Sequence, residues 1–180
     1  PGSLDLGDYL EWHRLARGVF FIGALDSYGT VATLDYLSYQ PIPYLTGYMH
    51  SGGGMIYTSF ALYDSIKQAQ ARGKHVTIHV CGLAASAASM IVLQAADRRV
   101  ATSNSRFLIH EPRRWAGVGE TLSMLQEVTI ELERLTNSIV DIMAERCHKS
   151  KEEVIGVILR KETWWTAEEA LNWGLIDAIE

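Results

Sequence analysis

Apolar and polar positions follow two rhythms along this chain, one helical and one strand-like, and the chain switches repeatedly between them. Leu122, Leu125, Thr129, Leu132, Thr136, Ile139 and Met143 step by three and four, with Val128, Leu135 and Ile142 in a second column beside them. The spacing predicts a long helix over 120–147, its apolar stripe wider than a helix lying on one surface needs. Either a subunit contact or full burial within the monomer accounts for that width. Val31, Leu34 and Leu37 predict a shorter helix, stopped by Pro41-Ile42-Pro43. Ile56, Phe60, Tyr63 and Ile66 predict another, with Gly73 suited to its C-terminus.

Between these lie short runs of strand character. Residues 11–18 read as a polar lead into a strand at about 18–23, and further strands are expected at 44–50 and 74–80. "LAASAASMIVLQAAD" (83–97) reads as a helix, while "RRVATSNS" and "RFLIHEP" read as two strands around a turn. "TAEEALNW" closes the pattern as a helix capped by Thr166, followed by Gly174 and a final strand. Strands and helices alternate throughout, so the expected class is α/β, in one domain spanning 1–180. Residues 1–7 are expected to be an unstructured or expression-derived lead.

Composition narrows the possibilities. Of the 180 residues, 48% are apolar and 21% charged, values that fit a globular core. A net charge of −5 argues against nucleic acid as the main partner, since phosphate neutralisation needs clustered Lys and Arg. The basic knots "DRR" (97–99) and "EPRRW" (111–115) are short and read as solvated surface. No apolar stretch approaches the ~20 residues that span a bilayer, so no membrane partner is expected, and the start lacks a signal-peptide pattern. Cys81 and Cys147 lie outside any metal-ligand spacing, although His148 follows Cys147, and reduced thiols in a cytoplasmic protein are expected, with no metal. "SGGGM" is neither a dinucleotide fingerprint nor a phosphate-binding loop, so no nucleotide or other cofactor is expected.

Three stretches carry candidate chemistry. Ser86 sits where a strand-like run gives way to a helix-like one, flanked by Ala84, Ala85, Ala87 and Ala88. A helix N-terminus offers unpaired N–H groups and favours developing negative charge, and small neighbours admit a substrate carbonyl. The same alanines and serines also suit close helix packing, and taken alone the stretch favours packing. Gly52-Gly53-Gly54 follows a strand and would let backbone N–H groups face a ligand, as an oxyanion hole requires, though such a run also serves as a plain flexible turn. His110 ends an apolar strand ahead of Pro112 and is the histidine best placed as a general base; His13, His50, His75, His79 and His148 have weaker claims. A serine needs such a base, because a free hydroxyl is a poor nucleophile near neutral pH.

Taken together, "HSGGGMIYTSFALYDSIKQ", "CGLAASAASM", "SNSRFLIHEP" and "ETWWTAEEALNWGLIDAI" resemble the ClpP family of self-compartmentalised serine peptidases, in order and approximate spacing, from about Asp8 to the end. "AASAAS" and "ETW" lean toward its phage-type and prophage-type members. The resemblance implies the ClpP/crotonase ββα spiral, with 120–147 as the "handle" helix that interlocks two heptameric rings. It implies Ser86 as nucleophile, His110 as base, and Gly54 and Ala87 as oxyanion-hole donors, with Ser89 a packing residue. The family's third triad member is usually Asp; here Glu162 falls at that position, with Asp141 and Asp177 as weaker stand-ins. "SGGG" replaces the usual Asn-Ser-Pro-Gly-Gly, and little of the family's axial-loop segment precedes the first strand. The implied activity is ATP-independent cleavage of peptides and of unfolded proteins fed by a AAA+ unfoldase. The rivals are a catalytically silent ClpR-like ring subunit and a crotonase-type acyl-CoA enzyme.

Overall fold

The computed structural model describes residues 6–113 and 119–180. The lead expected over 1–7 falls outside them for residues 1–5, while Leu6 and Gly7 already belong to a helix, α1 (Leu6–Leu15). The polar lead expected over 11–18 is helical as far as Leu15. Tyr9, Leu10 and Trp12 are exposed, so the segment shows no core-facing stripe from which its helical period could be read.

Next come β1 (Val19–Ile22), α2 (Gly29–Ser38), β2 (Tyr44–Ser51), α3 (Ile56–Ala71) and β3 (His75–Ala85). Each strand–helix–strand unit returns the chain to the same sheet, and β1, β2 and β3 pair in parallel. Gly73 takes φ +83° just beyond α3, as expected of a residue after a helix end. The buried sides of these strands and helices supply the core, with Phe20, Ile22, Leu34, Leu45, Ile66 and Ile78 at 0–1% exposure.

β3 is the organising strand. Its first part pairs with β4 (Arg98–Ala101) through Thr77–Val80, and its last residues, Leu83–Ala85, pair with β5 (Arg106–His110). The two strands expected around a turn are therefore not a hairpin, since both lie parallel to β3 at different heights. β3 runs on into the segment read as helix because Ala84 and Ala85 find partners in Phe107 and Leu108. Beyond the turn at Ser86 the chain makes one π-helical turn, Ala88–Val92, and a 3-10 turn, Leu93–Ala95, all buried.

The 26-residue α4 (Leu122–Cys147) matches the long helix expected over 120–147, with Thr121 accepting a hydrogen bond from Met124 N. Its burial is uneven. Ile139, Val140, Met143 and Cys147 are buried, whereas Leu122, Met124, Leu125 and Ile130 are 43–72% exposed. Full burial within the chain therefore does not explain the wide stripe. α5 (Lys151–Ile158), β6 (Glu162–Thr166), α6 (Ala167–Trp173) and β7 (Ala178–Ile179) complete the fold. β6 runs antiparallel to β5, and β7 closes beside β4. Thr166 caps α6 in a capping box with Glu169, and Gly174 ends it at φ +89°.

Candidate active site

Ser86 occupies the sharp turn leaving β3. Its φ of +58° is rare for a residue with a side chain. Such a conformation costs about 1–3 kcal/mol and persists only where its surroundings enforce it. Here Ser86 N donates to Leu108 O at 2.8 Å, and Ser86 O accepts from Ser89 N and Met90 N. Ser89 itself is fully buried, its hydroxyl lying 2.9 Å from Ser86 O and 2.8 Å from Leu108 O. The two serines thus separate by environment. Ser86 is half-buried and lines a cavity of about 80 Å³, while Ser89 is committed to the backbone that holds the turn.

The register of β3 on β5 brings His110 to the same cavity, 24 residues away in sequence but just beyond the Ala85–Leu108 pair in space. His110 Nδ1 lies 2.6 Å from the carbonyl of Glu111. A carbonyl can only accept, so Nδ1 is the donor in this contact. That leaves Nε2 as the nitrogen facing away from the Glu111 carbonyl and, in a neutral imidazole, the one with the lone pair a general base needs.

Gly54 completes the wall opposite. The glycine turn after β2 is pinned by Leu25 N to Gly53 O at 3.0 Å and Met55 N to Leu25 O at 2.8 Å. A Cβ on Gly53 would stand 2.7 Å from Ala85 O and 2.8 Å from Ser86 Cβ, and one on Gly54 would stand 2.6 Å from Leu25 O. Both have positive φ, so this turn is rigidly placed against Ser86 and admits only glycine. Among the described residues, Gly54 N–H has no protein acceptor, and Ala87 N–H opens a helical turn whose first donors lack intrahelical acceptors. Both residues line the cavity.

Glu162 stands directly across the ladder from His110. Cross-strand partners share a sheet face, with Cβ atoms about 4.5–5.5 Å apart. Its carboxylate, however, pairs with Arg113, Oε1 to Nη2 at 2.5 Å. Among the described residues, His110 is hydrogen-bonded to neither Ser86 nor Glu162. The other two acids have different partners: Asp141 pairs with Lys151 at 2.6 Å and Asp177 with Arg99 at 2.5 Å.

Arg99 corrects the reading of "DRR" as surface. It is 4% exposed and holds Asp177 through its backbone N, Nε and Nη2, and Gln94 through Nη1. Burial raises the Asp177 carboxyl, but its hydrogen bonds and charge contact with Arg99 outweigh that and keep it below its usual range. Gln94 in turn donates to Ser89 O, so a buried polar chain runs from the C-terminal segment to the Ser86 turn. Cys147 lies against this network, and burial pushes its thiol up to about 11, so it is not a reactive thiol. Cys81 is free and exposed.

Beside the small cavity runs a groove of about 470 Å³ lined by Gly54, Met55, Ile56, Tyr57, Arg113, Val128, Glu131, Leu132 and Leu135. Tyr57 donates to Glu131 at 2.9 Å across it. Sequence reasoning missed this groove and Arg113. The available signals were the Val128–Leu135 column and the position of Arg113 one residue past Pro112. Arg114, the other arginine of "EPRRW", lies outside the described residues. Among those residues no helix is long and apolar enough to cross a membrane.

Comparison with known proteins agrees with this architecture. The family model for Clp protease matches residues 15–180. The ATP-dependent Clp protease proteolytic subunit 1 of Chlamydia abortus is 34% identical, across 97% of this chain and 92% of its own length. The protein of the same name from Protochlamydia amoebophila is 31% identical, across 91% and 80%. The long α4, the parallel sheet and the Ser86 turn thus sit on a family scaffold matched over nearly the whole chain, and the chain belongs to the Clp protease family.

Proposed function

We propose that the chain is the serine peptidase core of a degradation chamber. The observation that carries the reading is the small cavity walled by Ser86, His110, Gly54 and Ala87. A peptide lies extended along the strand edge after the glycine turn, paired through its backbone, with a side chain in the adjoining apolar groove. Ser86 Oγ attacks the scissile carbonyl as His110 Nε2 takes its proton. The oxyanion is held by the N–H groups of Gly54 and Ala87. His110 then protonates the leaving amine, and a water activated by the same base hydrolyses the acyl-enzyme. Glu162, moved onto His110 Nδ1, stabilises the imidazolium.

The exposed apolar face of α4 supports assembly, which we read as two stacked heptameric rings. Folded protein substrates would enter through an ATP-driven unfoldase of the AAA+ class, in a cytoplasmic setting, while short peptides need none. Ser86→Ala is expected to abolish both hydrolysis of a fluorogenic peptide and labelling by a fluorophosphonate. Labelling that survived this change and vanished in Ser89→Ala would overturn the assignment.

One observation favours a second reading, a catalytically silent ring subunit: Glu162 is bound to Arg113 and not to His110. A homo-oligomer that turned over no peptide, alone or with an unfoldase, would decide for it. The acyl-CoA reading finds no comparable support, and CoA-induced thermal stabilisation would be its mark.

A further inference from the structure

Arg113 stands between two sites. It lines the small cavity with Ser86 and His110, and it lines the apolar groove with Tyr57 and Glu131. We infer that Arg113 is a positioning residue for Glu162: it holds the carboxylate off His110 and so sets how often the triad is complete. The inference rests on the catalytic assignment of Ser86 and His110 above.

The register of β5 on β6 gives Glu162 to His110 as its cross-strand neighbour. Three residues past His110, the guanidinium takes that carboxylate instead, while His110 Nδ1 turns to the Glu111 carbonyl. Two partners therefore compete for one carboxylate. A guanidinium is charged at every working pH, whereas a neutral imidazole gains its charge when it takes the Ser86 proton. At rest the guanidinium holds the carboxylate; in the transition state the imidazolium competes for it. The pair is weak enough to exchange, since the Arg113 and Glu162 side chains are 59% and 46% exposed. Exposed pairs contribute little and are screened by salt. Among the described residues, the charged groups on the elements beside His110 are Arg113, Glu162 and its chain neighbour Glu111. Glu131 lies across the groove, carrying the Tyr57 hydrogen bond and Arg134 at 3.6 Å.

The test is steady-state hydrolysis of a short uncharged fluorogenic peptide by the assembled full chain, alongside fluorophosphonate labelling. Arg113→Gln is expected to raise kcat about two- to fivefold at low salt with KM little changed, the range a weak exposed pair allows. Arg113→Lys keeps a cation there and should stay near the unsubstituted rate. Raising salt from about 0.05 to about 0.5 M should bring the unsubstituted chain toward the Arg113→Gln value. In a Glu162→Gln background, Arg113→Gln should change nothing. A kcat equal to or below the unsubstituted value, in protein that still labels at Ser86, overturns the inference. So does an equal gain in the Glu162→Gln background. Hydrolysis that persists in Ser86→Ala, or a chain that neither labels nor turns over in either form, overturns the catalytic assignment and this inference with it.

Discussion

At the scale of single residues, the site depends on backbone placement as much as on reactive side chains. Gly53 shows this most directly, because it carries no reactive side chain yet lies against Ser86, the proposed nucleophile. Gly53→Ala would put a methyl 2.8 Å from Ser86 Cβ at a φ of +91°, so the turn must shift. A displacement near 1 Å costs about 10²-fold in rate. A loss of that order in kcat/KM is expected, with a circular dichroism spectrum close to that of the unsubstituted chain. Ser89→Ala separates the two serines in the opposite sense. Removing a buried hydroxyl that serves two carbonyls should lower stability by about 1–2 kcal/mol in denaturant titration while leaving fluorophosphonate labelling in place.

At the scale of elements, α4 is two half-helices with different tasks. Its C-terminal half packs through Ile139, Val140 and Met143, and Arg146 reaches the carbonyls of Gln94 and Ala96. Its N-terminal half presents Leu122, Leu125 and Ile130 to solvent in the single chain. Leu125→Asp should therefore leave the fold intact, within about 0.5 kcal/mol for an exposed position. Under the proposed ring assembly the same change should shift sedimentation toward smaller species. Unchanged sedimentation would count against α4 as the ring contact. β3 teaches a related lesson. Its alanines looked helical in the sequence because alanine is an excellent helix former, yet cross-strand partners on β5 draw Ala84 and Ala85 into the sheet.

At the scale of the whole molecule, the Arg99–Asp177–Gln94 network ties the C-terminal segment, α4 and the Ser86 turn into one body. Asp177 sits below its ordinary value of 3.8, so its contribution is fully present above that pH. It is lost as pH falls through the lower folded value. Thermal stability should accordingly decline in acid, and Asp177→Asn should flatten that decline. The same substitution leaves a buried guanidinium short of its counter-ion, at a cost of roughly 2–4 kcal/mol at neutral pH. A denaturation midpoint unchanged by Asp177→Asn would show that the network contributes little.

The sequence by itself determined the α/β alternation, the long helix, the Thr166 cap and the candidates Ser86, His110 and Gly54. The first three are local signals, a periodicity or a cap read over a few neighbouring residues, whereas the candidates came from four motifs taken together in their order and spacing. The tertiary structure alone decided what those signals could not reach. It divided β3 between two partner strands, buried Arg99 and Ser89, exposed half of α4, and set Arg113 on Glu162. These are facts of register and long-range pairing, fixed by which surfaces meet. A side chain's partner then depends on residues tens of positions away, and no local pattern records it.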